Sequence, residues 1–136
     1  MPTTFKKLNK GWNAEPNAPH PKVEVKGTDV LLIFYLNHQL FAQFKEEQIG
    51  ILRFHNCSRY RLGPTNDEGW YKSQCRFSKL APAWGEFYEV SGDLLLNRSP
   101  NDWFEIGVDA GKRKHFLFYL RDNQFEADAG SWTFEY

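Results

Sequence analysis

The sequence predicts an all-β fold, or a β-dominated one with one short helix, arranged as an antiparallel sandwich or barrel of about eight to ten strands. Two observations carry that expectation. Aromatic residues make up 17% of the chain, with twelve Phe, six Tyr and five Trp, and such rings suit pleated surfaces better than helix interiors. Short β-prone runs also recur along the chain, punctuated by Gly, Pro, Asn and Asp about every 8–12 residues.

The elements follow in order. Residues 1–21 contain four prolines among asparagines and lysines and read as an irregular N-terminal arm of a single domain spanning 1–136. Trp12 is expected to pin this arm to the body. Residues 22–26 (Lys22, Val23, Glu24, Val25, Lys26) alternate strictly, Gly27 to Asp29 supply a turn, and an apolar run covers 30–36. That pattern predicts a hairpin whose second strand, apolar on both faces, is central or covered. Residues 41–48 fit a short helix or a strand equally well. After Gly50 a strand resumes at 51–55, with Ile51, Arg53 and His55 on one face and Leu52 and Phe54 on the other.

A polar stretch follows, with β signal around Tyr60 and a loop over 63–69. Short strands are expected at 71–77, 85–90 and 94–96, with a loop over 97–102. The last third is clearest. Residues 114–120 are strongly β-prone, Arg121, Asp122 and Asn123 form a turn, 124–129 return, and Gly130 breaks the run before a closing strand at 131–136.

Composition narrows the function classes. Seventeen basic residues balance seventeen acidic ones, so no overall positive field gathers a nucleic acid. The longest apolar run, 30–36, is too short to cross a bilayer. The opening residues show no export signal, which predicts a cytoplasmic protein with Cys57 and Cys75 as free thiols. An edge strand offers one route to a homodimer, although no residue specifies it.

Candidate chemistry is sparse. His55, Cys57, Cys75 and His115 are zinc-type ligands, and His55 and Cys57 are expected to share a strand face. The paired spacings of structural zinc sites are missing, so no metal or other cofactor is expected. Cys57, with His55, Arg59 and Arg61 nearby, reads as a structural thiol. Carboxylate pairs occur at Asp67 with Glu68, Glu86 with Glu89, and Glu126 with Asp128, the last on one strand face. Phosphate-binding loops, a GxSxG turn and HExxH are absent from the sequence. No catalytic residue is assigned.

What remains is a polar and aromatic set: Arg59, Tyr60, Arg61, Asp67, Glu68, Trp70, Tyr71, Trp84 and Tyr88. Tyr, Trp and Arg dominate binding hot spots because they combine contact area with directional polar groups. Two stretches, from Phe54 to Gly63 followed by Asn66 to Gly69, and from His115 to Glu126, resemble small, uncharacterised bacterial cytoplasmic proteins that are β-rich. The resemblance implies a bacterial source and brings no known activity with it.

Three readings follow. The first is a non-catalytic protein-binding or regulatory domain, of the kind that neutralises a toxin or joins a regulatory pair. The second is a small-ligand or carbohydrate-binding sandwich or barrel, with a pocket lined by Trp84, Tyr88 and Trp103. The third is a hydrolase or lyase using Glu126, Asp128 or Glu86 with His115.

Overall fold

The chain forms β1 (Thr4–Lys7), β2 (Lys22–Lys26), β3 (Asp29–Tyr35), β4 (Ile49–Pro64), α1 (Asp67–Tyr71), β5 (Phe87–Ser91), β6 (Phe104–Glu105), β7 (Lys114–Tyr119) and β8 (Asn123–Glu135). The computed structural model describes residues 2–73, 75–78, 80–92, 100–107 and 112–136. All eight strands join one antiparallel sheet in the order β1-β5-β7-β8-β4-β3-β2, and β6 pairs with β4 beside that path. The architecture is therefore all-β with one short helix, as the aromatic content and turn spacing predict. No helix of the described residues is long and apolar enough to cross a membrane.

The sheet curls strongly. Phe34 of β3 and Phe118 of β7 are separated in the sheet by β4 and β8, yet their rings meet edge to face with centroids 5.5 Å apart. In a flat sheet three strand spacings would separate them by about 14 Å. Alternation then sorts side chains between two faces. Val30, Leu32 and Phe34 of β3, Phe116 and Phe118 of β7, and Phe125, Ala127 and Ala129 of β8 fill the concave face. Leu117 and Tyr119 of β7 and Tyr88 and Val90 of β5 point the other way, where Trp70, Phe77 and Ala81 cover them in a second, smaller core.

The N-terminal arm is more ordered than its composition predicts. Residues 4–7 form β1 on the outer edge of β5, and Ala14 makes an isolated bridge to Leu36. Trp12 does pin the arm. It is buried and stacks on Phe134 with a centroid separation of 4.1 Å. A four-residue strand carrying two lysines offers no alternation long enough to read.

The β2–β3 and β7–β8 hairpins stand where turn chemistry puts them. Elsewhere tertiary packing overrides local pattern. Residues 41–48 form turns, neither helix nor strand, and the strand expected at 71–77 is replaced by the end of α1 and further turns. Trp70 and Phe77 are apolar there because they cap the second core, not because they alternate along a strand. The region expected to be loop over 63–69 ends β4 and begins α1, whose N-cap Asn66 accepts a hydrogen bond from the Gly69 amide. The strand expected at 94–96 lies outside the described residues, as do residues 97–99 of the 97–102 loop.

Two irregularities position the polar side chains. Asn56 adopts a left-handed backbone conformation (φ 53°), so Cys57 turns into the core while His55 stays at the surface beside Thr133. His55 and Cys57 therefore do not share a face. The β4–β8 register then slips by one residue between Cys57 and Arg59, a bulge that restores the original alternation. Tyr60 and Leu62 pack on the concave core, and Arg59 and Arg61 come out on the convex side directly opposite Asp128 and Glu126. Gly130, expected to end a strand, lies within β8, which continues through it to Glu135.

Candidate functional site

Two polar features stand out. The first is an ion network at the centre of the sheet. Glu126 is fully buried and accepts from His115 Nε2 at 2.6 Å, Arg61 at 3.0 Å and Gln124 at 3.2 Å, with Arg76 Nε 3.2 Å away. His115 Nδ1 lies 2.7 Å from Asp128, which also takes a 2.6 Å hydrogen bond from Arg59. Arg61 extends the chain to Asp102, and the Arg59 guanidinium covers the Trp103 ring at 4.0 Å.

Charges this far from water persist only when they are paired and hydrogen-bonded. Burial pushes the His115 imidazole down, but the hydrogen bonds to Asp128 and Glu126 outweigh it and hold its pKa above the ordinary value. With a carboxylate oxygen at each ring nitrogen, both nitrogens donate, and the ring is an imidazolium. Burial pushes Asp128 up, while the His115 contact and then Arg59 bring it below the ordinary carboxylate value. Glu126, Asp128 and His115 are thus brought together as the third reading requires. They are held together by ion pairs that also reach Arg76, and none of the three lines the groove described next.

The second feature is an open groove of about 630 Å³. Four segments build it: the arm at 13–17, the start of α1 at 66–68, Trp84 and Gly85 before β5, and the β7–β8 tip at 119–122, with Asn37 at the side. Glu15, Asp67, Glu68 and Asp122 bring four carboxylates to its lining, and Arg121 brings one guanidinium. Trp84 forms an aromatic wall, stacked on buried Tyr119 at 4.7 Å. The amides serve mainly as scaffolding. Asn13, Asn37 and Asn66 each use Oδ1 to accept a backbone N–H, from Ala14, Leu40 and Gly69 respectively. The hairpin tip is tied to the arm by Arg121, whose Nη1 donates to the Asn17 carbonyl at 3.2 Å.

The nine residues singled out by sequence are distributed among several surroundings. Asp67, Glu68 and Trp84 line the groove. Arg59 and Arg61 belong to the ion network. Tyr60 faces the concave core and stacks on Phe104. Trp70 and Tyr88 are buried in the second core, the Tyr88 hydroxyl donating to the Ala83 carbonyl. Tyr71 is exposed and packs edge-on against Trp70. Trp84 lines the groove, whereas Tyr88 is buried in the second core and Trp103 lies against the Arg59 guanidinium, so neither joins Trp84 in that groove.

Glu15, Asn17 and Asp122 were not readable as groove residues, because only the folded arm and hairpin tip bring them beside Trp84. The other candidates occupy structural positions. Glu86 accepts from Asn9 at 2.7 Å, and buried Cys57 is raised to about 12 by desolvation, which makes it a poor nucleophile. No group of three His, Cys, Asp or Glu side chains among the described residues is arranged to hold a metal ion. No family model, curated protein or solved structure matches the chain.

Proposed function

We propose that the chain is a non-catalytic protein-binding domain that seats a cationic segment of a partner protein in the groove beside Trp84. The observation that carries this reading is the lining, with four carboxylates and one guanidinium around an aromatic wall in a cavity of about 630 Å³. Carboxylates crowded in a concavity focus negative potential, and an indole face attracts a cation lying over it. The volume falls within the range of ligand sites, which are usually mostly apolar. A polar groove suits charged side chains better than an apolar small molecule.

A carbohydrate reading draws on the same indole and amides. It is weakened because Asn13, Asn37 and Asn66 already spend their carbonyl oxygens on backbone amides. The enzyme reading is weakened because His115, Glu126 and Asp128 neutralise one another away from the groove.

The test is fluorescence anisotropy with a labelled peptide of alternating arginine and glycine, beside its glutamate counterpart. The basic peptide should bind, and the Asp67→Asn, Asp122→Asn double variant should weaken it by about fivefold or more. Equal binding of the two peptides, or a double variant indistinguishable from the original, would overturn the proposal.

A further inference from the structure

Resting on that reading, we infer that the occupant of the groove is an arginine side chain, and that the chain's own Arg121 holds its place in the free protein. Arg121 is the guanidinium of the groove lining. It reaches from the β7–β8 tip across to the arm, where Nη1 meets both oxygens of Asn17, the carbonyl at 3.2 Å and Oδ1 at 3.3 Å. Its Nε lies 3.7 Å from Asp122 Oδ2. The groove is therefore already built to receive a guanidinium, with oxygen acceptors from two chain segments converging on it.

The hold on Arg121 is weak enough to be exchanged. Its side chain is 51% exposed and Asp122 is 72% exposed, so water competes for every contact and the ion pair contributes little. Asp67 and Glu15 accept backbone amides, from Glu68 and from Asn17 and Ala18, and still carry their charges at the groove. An incoming arginine offers five N–H donors in a flat fork. It can replace the Arg121 contacts with Asn17, engage these carboxylates and lie against Trp84. Lysine offers a point charge without the fork and should compete less well. Arg121 thus acts as a built-in competitor that sets the affinity for the partner.

The same anisotropy assay tests this with arginine–glycine and lysine–glycine peptides. Two variants are used, Arg121→Gln, which removes the competitor, and Arg121→Lys, which keeps its charge and removes the planar fork that meets Asn17. Thermal melts confirm that both are folded. Each should bind the arginine peptide roughly three- to tenfold more tightly, and the arginine peptide should outcompete the lysine peptide. If the original protein binds and Arg121→Gln binds equally or more weakly, the competitor role falls while the groove reading stands. If Arg121→Gln tightens binding and Arg121→Lys does not, Arg121 acts through charge alone and displacement is refuted. Absence of binding in the original and in both variants would take down the groove reading itself.

Discussion

Glu126→Gln is the most informative single substitution in the fold. The amide keeps the shape of the side chain but removes its charge and replaces one acceptor oxygen with a donor. Glu126 is wholly buried, and the cations at its carboxylate, His115, Arg61 and Arg76, are only 4%, 11% and 6% exposed. None can recover full hydration by a small movement. Arg61 retains Asp102, and His115 retains Asp128, so the loss is smaller than three abandoned charges would give.

Breaking one partner out of such a buried network costs about 3–5 kcal/mol, a large share of the roughly 5–15 kcal/mol that holds a domain together. The assay is equilibrium urea denaturation, in which the midpoint should fall with the slope unchanged. A thermal midpoint lowered by roughly 10 °C or more should accompany it. A cycle with His115→Gln should be strongly non-additive, because the two groups share one hydrogen bond. A variant within about 1 kcal/mol of the original would refute the argument that the buried ion pairs of Glu126 hold the fold together.

Further outcomes follow from the same contacts. His115 has a folded pKa raised above 6.5, so its contribution to stability is complete below the unfolded value and is lost as pH rises through the folded one. Stability followed by denaturant midpoint should therefore decline above pH 6.5, and His115→Gln should flatten that limb. Asp128, Asp102 and Asp29 are all lowered from 3.8, so their contributions are present above that value and are lost as pH falls through the folded pKa values; a second decline should appear in acid. Of the two thiols, Cys57 is buried and Cys75 is partly exposed. A thiol reagent at neutral pH should therefore modify Cys75 in the native protein and Cys57 only after unfolding.

How much of this was legible depends on the range of the forces involved. The β2–β3 and β7–β8 hairpins were readable because alternation and turn residues lie within a dozen positions of each other. Asn66 followed by two acidic residues carried an N-cap signal for α1 that the glycines around it masked. The length of β4 was missed because Arg59 and Arg61 read as part of a polar binding surface. Their partners Asp128 and Glu126 lie 69 and 65 residues away, and only the β4–β8 register makes that pairing visible. The shared face of Glu126 and Asp128 was legible from a period of two, whereas their burial with His115 was not. Trp84, Asp67 and Glu68 were chosen for their chemistry, and the arm that completes their groove held no pattern to read.

The central claim is that the groove beside Trp84 recognises a cationic side chain, and its most direct measurement is an NMR titration of the labelled protein with the arginine–glycine peptide. The Trp84 indole N–H, identified by its loss in Trp84→Phe, should shift most, together with the backbone amides of Asn17, Asp67 and Asp122, and the shifts should shrink as salt is raised. Shifts spread over the whole surface, or centred on Arg59 and Trp103 with Trp84 unmoved, would contradict the account.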